Sequence, residues 1–179
     1  MKILLLSISL FLSVITLYGQ DRFEFSSTGL FPDYIVVELD TLSPSELYEI
    51  CIRWIKETYT SPDEVIQMKI ENEQIRFQGF KKSATHMNAI TTSTSLDAKY
   101  TIEISFKDGK FKFDPVDLSL YHQGSKITLI GINFGKPIFK GNGEVRGMYR
   151  PIPEDIANMF TSLMRDFAKY TITQKQDDW

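Results

Sequence analysis

Residues 42–47, Leu42-Ser43-Pro44-Ser45-Glu46-Leu47, form a nearly complete signal for the start of a helix. Ser43 and Glu46 have the spacing of a capping box, in which each side chain accepts a hydrogen bond from the other residue's backbone N–H. Pro44 occupies the first helical position, where a missing N–H costs nothing. Leu42 and Leu47 have the spacing of a hydrophobic staple. We therefore predict that a strand before this stretch gives way to a helix at Ser43.

The residues on either side of this signal fit that interpretation. After it, apolar residues recur at helical spacing and charged residues take the opposite face, until Ser61-Pro62 ends the helix. The apolar stripe consists of Leu47, Ile50, Cys51, Trp54, Ile55 and Thr58. Before it, Tyr34 to Leu39 is rich in β-branched residues and predicts a strand, whereas Asp21 to Asp33 is expected to be a loose lead-in.

Alternation of apolar and polar residues predicts four further strands, in a sheet with one buried and one solvated face. The predicted strands are Glu64 to Ile70, Ile75 to Phe80, Tyr100 to Phe106, and a return strand that carries Phe111 and Phe113. Asp108-Gly109 is typical of the hairpin turn between the last two strands. The Ser/Thr-rich residues from Ser83 to Asp97 are expected to form a connection.

The C-terminal part of the chain is less regular. Leu118 to Arg150 predicts an extra hairpin or a long structured loop, with a strand-like run from Ile127 to Ile132 and a tight turn at Gly141-Asn142-Gly143. Pro153 is expected to open a last helix with a wide apolar stripe. That stripe consists of Ile156, Met159, Phe160, Leu163, Met164 and Phe167.

The element order is therefore β-α-β-β-β-β-α. Two amphipathic helices and a sheet with one apolar face can bury their apolar sides only against each other, so both helices should lie on the same face. We predict a single α+β domain over residues 34–170, with an antiparallel-rich sheet, followed by a polar tail over residues 171–179.

The first 19 residues have the pattern of a secretory signal peptide. Lys2 supplies a positive charge, Ile3 to Leu17 is an apolar run, and Gly19 is a small residue at a plausible cleavage point. A membrane anchor is the alternative, but the run is short for a span of about 20 residues and lacks a basic flank. We expect export to the periplasm or the extracellular space, with no stable membrane insertion after cleavage.

Charge and cysteine content narrow the classes of partner. The net charge of −3 and the pI of about 5.4 argue against nucleic acid or an anionic membrane surface as the main partner. Cys51 is the only cysteine, so an internal disulfide is impossible and the domain depends on its apolar core.

No set of residues in the sequence has the spacing of a catalytic or metal site. His86 and His122 lack ligand-spaced neighbours, and Cys51 lies on the buried stripe, where a structural thiol is expected. Glu154-Asp155 suit the positive end of the last helix, and Gly131 to Gly135 lack the basic residue of a phosphate loop. We therefore expect no enzymatic activity, no cofactor and no metal.

Several of these residues also resemble a known family. They are Ser43 to Tyr48 leading to Arg53-Trp54-Ile55, then Ser61-Pro62, Val65-Ile66-Gln67 and the charged turn into Ile75. Together they resemble a secreted bacterial domain family of unknown function with a TATA-binding-protein-like fold, over roughly Tyr34 to Asp117. The resemblance implies that fold and an exported location in the envelope of a Gram-negative bacterium, and it brings no catalytic residues.

The fold name alone does not imply DNA binding. A DNA-reading sheet needs a basic face, whereas the solvated face predicted here mixes Arg76, Lys110 and Lys112 with Glu103. The chain is also acidic and is expected to be exported.

Two functions fit these observations. The first is a non-catalytic binding or interaction module whose site is the solvated face of the sheet or residues 118–150. The second is a carrier of an apolar small molecule, held in a cavity between the sheet and the last helix. The expected partner is accordingly a protein or a small apolar ligand, and the oligomeric state stays open.

The signal peptide makes a prediction about the mature protein. If the signal peptide is cleaved, the chain isolated from its native cells should begin near Gln20, and its intact mass should correspond to residues 20–179. Intact-mass spectrometry with N-terminal sequencing measures this. A chain that retains Met1 to Gly19 would contradict the prediction of export by a cleaved signal.

Overall fold

The capping box forms as predicted in the computed structural model, which describes residues 22–39, 41–89, 91–133 and 135–177. The backbone N–H of Glu46 donates to Ser43 Oγ at 3.3 Å, and the backbone N–H of Ser43 donates to Glu46 Oε2 at 2.7 Å. Helix α1 (Pro44–Thr58) follows. The predicted apolar stripe is buried except for Thr58, which is exposed. The predicted signal peptide lies outside the described residues.

Within the described residues, eight strands and two further helices accompany α1. In chain order the strands are β1 (Glu24–Ser26), β2 (Gly29–Phe31), β3 (Ile35–Glu38), β4 (Ile66–Ile70), β5 (Gln74–Asn88), β6 (Ser93–Lys107), β7 (Lys110–His122) and β8 (Ser125–Gly131). The helices are α2 (Pro62–Val65) and α3 (Pro151–Asp177), and Lys136–Ile138 and Gly147–Tyr149 are 3-10 turns. The antiparallel main sheet has the order β3-β7-β6-β5-β4, and β8 pairs with β7. Strands β1 and β2 form a separate hairpin.

Both α1 and α3 pack on the same face of the main sheet, as predicted. The indole of Trp54 on α1 contacts the ring of Phe77 on β5 at 5.7 Å between centroids and that of Phe167 on α3 at 5.2 Å. Phe167 in turn packs on Phe111 of β7 at 4.7 Å, and Phe160 packs on Tyr100 of β6 at 6.0 Å. Burial of each such ring contributes roughly 1.5–3 kcal/mol. This aromatic layer is the centre of the core, and the α+β class is confirmed.

The turn between β6 and β7 is tied to the start of α1. The backbone N–H of Gly109 donates to the carbonyl oxygen of Leu42 at 2.9 Å. The backbone N–H of Leu39 donates to the carbonyl oxygen of Gly109 at 2.6 Å. Gly109 has a φ of +66°, which favours glycine at this position. These bonds place β3 alongside β7, with Val36 opposite Lys112.

The predicted connection from Ser83 to Asp97 is wrong, because β5 and β6 pair almost to their ends. The register shifts between Lys81 and Thr85, and Ser83 has a φ of 49°. Such a β-bulge inserts residues into one strand and breaks the alternation of side chains. The alternation of apolar and polar residues in the sequence therefore stops at the bulge, although strand β5 continues beyond it.

Two other local predictions also differ from the structure. The predicted strand from Glu64 begins at Ile66, because Pro62 opens the short helix α2 instead. The lead-in is not loose either, since β1 and β2 fall within it. Its buried residues include Phe23, Phe25 and Leu30.

The N-terminal hairpin packs closely against the chain that follows β8. The backbone N–H of Leu30 donates to the carbonyl oxygen of Ile132 at 2.8 Å, and that of Phe23 donates to Thr161 Oγ1 on α3 at 3.0 Å. A Cβ added at Gly135 would lie 2.1 Å from the carbonyl oxygen of Ser26. The packed unit therefore extends before residue 34, where the sequence placed its start.

Residues 118–150 contain both an extra hairpin and a structured loop. Strand β7 continues to His122 and turns into β8. Further on, the backbone N–H of Lys140 donates to the carbonyl oxygen of Glu144 at 2.7 Å, which closes the tight turn predicted around Asn142. Ile138, between these features, is fully buried, so part of this segment completes the core.

Helix α3 is longer than predicted. It begins at Pro151 rather than Pro153, and it continues to Asp177, so residues 171–177 are helical rather than a tail. Thr171 is fully buried and its hydroxyl donates to the carbonyl oxygen of Phe167 at 2.9 Å. Across the part of the chain that the structure describes, no helix is both long and apolar enough to cross a membrane.

The capping box allows a test of local stability. We expect Ser43→Ala to lower the free energy of unfolding by about 1 kcal/mol, since the N–H of Glu46 loses its acceptor. Urea unfolding of a chain that begins at Gln20 measures this. Ser45→Ala, an exposed position in the same helical turn, serves as the matched control. Equal stability of the two variants would contradict the role assigned to the box.

Candidate functional site

The face of the main sheet opposite α1 and α3, here called the polar face, is largely paired with itself at its centre. Arg76 on β5 lies opposite Glu103 on β6, and Arg76 Nε donates to Glu103 Oε2 at 3.0 Å. Next along the strands, Gln78 Nε2 donates to Thr101 Oγ1 at 3.4 Å. These cross-strand pairs satisfy the charges and amides of the central part of the polar face.

A groove opens on the polar face where three strands run side by side, at the end of the sheet that carries the β6–β7 turn. Its volume is about 530 Å³. We call it the lysine groove. It is lined by residues of β6, β7 and β3 and by the residue before β3, namely Tyr34, Val36, Ser105, Lys107, Lys110, Phe111 and Lys112. The Phe111 side chain is fully buried on the opposite face. The side chains at the surface of the groove are therefore a valine, a tyrosine with its apolar ring and phenolic hydroxyl, a serine hydroxyl and three lysines.

The three lysines differ in how well they are neutralised. Lys112 Nζ lies 2.8 Å from Asp114 Oδ2 and 5.2 Å from the centre of the Tyr34 ring. Lys110 Nζ lies 3.8 Å from Glu38 Oε1, an exposed pair that contributes little. Lys107 has no ion-pair partner among the described residues. An acidic chain thus presents a local excess of positive charge at this groove.

Exposed apolar surface accompanies that charge. The Tyr34 side chain is 51% exposed and the Val36 side chain 44% exposed. Edge strands usually carry charged residues, which prevent unwanted pairing. Tyr34 and Val36, exposed at this edge beside lysines of β6 and β7, are therefore a feature that folding alone does not require.

Two smaller surface grooves lie elsewhere. One, of about 260 Å³, is lined by Leu30, Asp33, Asp114, Pro115, Val116, Ile132 and Asn133. The other, of about 400 Å³, lies at the start of α1 and is lined by Thr41, Leu42, Ser45, Glu46, Glu49, Ile50, Arg53 and Gln174. Neither combines several cations with exposed apolar side chains, so the lysine groove is the stronger candidate site.

The two histidines lie at different places. His86 on β5 lies near a carboxylate but not within hydrogen-bond distance of it, since its Nδ1 is 3.8 Å from Asp155 Oδ2 on α3. The Thr85 hydroxyl already donates to that oxygen at 2.8 Å. His122 Nδ1, at the end of β7, is buried with no hydrogen-bond partner in the described chain. Within the described ranges, no group of three or more His, Cys, Asp or Glu residues could hold a metal ion.

Cys51 is fully buried on α1. Burial raises the pKa of its thiol well above the ordinary value, because the thiolate would lose its hydration. Reactive cysteines need exposure and nearby positive charge that lower the pKa. Cys51 therefore packs as a small apolar residue, as the sequence indicated.

The side chains around the proposed apolar cavity are buried and contact one another. Met159, Phe160, Met164 and Phe167 are 0–4% exposed. Their neighbours include aromatic rings from the sheet and from α1. The three grooves described above are not lined by Met159, Phe160, Met164 or Phe167.

The sequence predicted only part of the lysine groove. Lys110 and Lys112 were placed on the solvated face from alternation alone, but Lys107, Tyr34 and Val36 were not identified as site residues. Tyr34 and Val36 come from a distant part of the chain, and only the register of β3 against β7 brings them to the lysines. A usable signal was the spacing of the lysines on both sides of the Asp108-Gly109 turn.

Comparisons with known proteins support the fold. Residues 34–120 match the model of a family described as a domain of unknown function (DUF4468) with TBP-like fold. A crystal structure of a DUF4468 family protein from Bacteroides ovatus ATCC 8483 has a TM-score of 0.60 at 12% identity, covering 77% of this chain and 84% of that one. A TBP-like protein from Parabacteroides distasonis ATCC 8503 has a TM-score of 0.51 at 14% identity, covering 80% and 91%. No curated protein matches the chain.

The state of Cys51 can be measured. We expect the native chain to react with a thiol reagent such as dithionitrobenzoate far more slowly than the chain unfolded in guanidinium, which should release one equivalent. Absorbance of the released thionitrobenzoate follows the reaction. Rapid labelling of the folded chain would show that Cys51 is accessible and would contradict its packing in the core.

Proposed function

We propose that this chain, which carries a DUF4468 domain with a TBP-like fold over residues 34–120, is a non-catalytic binding module exported to the cell envelope. The observation that carries the proposal is the lysine groove on the polar face. It joins exposed apolar side chains to lysines that the fold leaves incompletely neutralised. Binding sites generally combine an apolar surface with a few convergent polar groups in this way.

The apolar carrier is less well supported. A ligand between α3 and the sheet would have to displace rings that are already in contact, such as Phe167 and Phe111 at 4.7 Å. Removing such contacts from a close-packed core costs several kcal/mol. The site on the polar face requires no such rearrangement.

Nucleic acid is also a poor partner for the polar face. Glu38, Glu103 and Asp114 are ion-paired with lysines and the arginine of this face, so acidic side chains interrupt its positive charge. Phosphate backbones instead bind to extended basic surfaces, and the net charge of the chain is −3.

Site-specific photo-crosslinking tests the proposed function. Benzoylphenylalanine at position 36 should yield a crosslinked adduct when the full chain is expressed in its native cells and irradiated, because Val36 lines the groove. Mass spectrometry of the purified chain identifies the adduct.

Ile70 offers a matched control. It is also an exposed apolar residue on an edge strand, and it lies opposite Gln74 on the same polar face, at the other edge of the sheet. We expect adducts from position 36 and few from position 70. Equal yields at both positions, or no adduct at position 36, would refute binding at the lysine groove.

A further inference from the structure

We infer that the lysine groove binds a small organic anion with an apolar body, such as an aromatic or alkyl carboxylate. This inference rests on the proposed binding function and names the class of its ligand. In the complex, Lys107 and Lys110 hold the anionic head, and Tyr34 and Val36 contact the apolar body.

The size of the groove selects a small molecule. Its walls come from three adjacent strands, β3, β7 and β6, and strands lie about 4.8 Å apart, so it spans roughly 10 Å across the sheet. Its volume of about 530 Å³ falls within the range of about 300–1,000 Å³ typical of small-molecule sites. A stable protein partner would need about 800 Å² of contact on each side, far more than this footprint offers.

The charges of the groove select an anion. Lys112 is already engaged, since its ammonium group lies between the Asp114 carboxylate and the Tyr34 ring. Lys110 has one loose contact with Glu38, and Lys107 has none in the part of the chain that the structure describes. Two ammonium groups are thus available to bind the same anionic head, and their hydrogen bonds to a charged acceptor are stronger than neutral ones.

The polar and apolar side chains beside these lysines complete the site. Ser105 Oγ accepts a hydrogen bond from Gln74 Nε2 at 3.5 Å, so its own O–H can donate to the anion. The ammonium group of Lys112 lies over the ring of Tyr34 at 5.2 Å, a favourable cation–π contact. Tyr34 and Val36 would lose solvent exposure when an apolar body covers them, which is a gain that a simple inorganic anion cannot provide.

A matched pair of probes tests this inference on the mature full chain. We expect 2-naphthoate to shift the backbone amide signals of Val36 and Lys112 in a saturable manner, as measured by two-dimensional nitrogen–proton NMR. We expect 2-naphthalenemethanol, which has the same rings without the charge, to bind at least tenfold more weakly.

Charge-removal variants locate the anionic head. The double variant K107Q/K110Q should bind naphthoate at least tenfold more weakly. The control K81Q/K82Q removes two exposed lysines from β5 and should bind as the unmodified chain does. If the double variant loses its native spectrum, Lys107→Gln alone replaces it in the test. We expect this single variant to lose an intermediate part of the affinity for naphthoate.

Three results would overturn the inference: no saturable shift with naphthoate, equal affinity for the alcohol, or equal loss in both double variants. Failure here is distinct from failure of the proposed function. If naphthoate does not bind but position 36 still gives specific adducts in cells, the groove is a binding site for another class of ligand. If both experiments fail, the lysine groove is not a binding site.

Discussion

The contact of Trp54 with both Phe77 and Phe167 is the interaction on which the rest of the molecule depends. Strand alternation leaves the sheet with one apolar face, and this indole joins the sheet, α1 and α3 on that face. Since two helices and the residues around Ile138 cover it, the apolar face is committed to stability. The polar face is therefore the surface on which selection for binding can act without loss of the core.

The sequence predicted those parts of the fold that depend on local chemistry. The capping box at Ser43 and the alternation from Tyr100 to Phe106 have local causes, and both are confirmed. The connection around Ser83 was wrong because a bulge interrupts the period of two while pairing continues. The N-terminal hairpin was missed because only tertiary packing, such as the contact of Leu30 with Ile132, stabilises strands of three residues.

The candidate site was harder to predict than the fold, because it depends on register between distant segments. Alternation placed Lys110 and Lys112 on the solvated side, but nothing local indicated that Tyr34 would lie beneath one of them. That proximity follows from the hydrogen bonds of Gly109 with Leu39 and Leu42, next to the helix-start signal. The residues that encode the start of α1 thus also position the groove, although none of them lines it.

The groove can exist only if both helices close one face of the sheet while the other face stays open. Nuclear Overhauser effects from the Trp54 indole protons, in a chain that begins at Gln20, measure this arrangement. The structure predicts cross-peaks from that indole to the ring protons of both Phe77 and Phe167. Cross-peaks to only one of these rings would show that Trp54 does not contact both the sheet and α3. That result would contradict a core on one face of the sheet, the arrangement that leaves the polar face and its groove open.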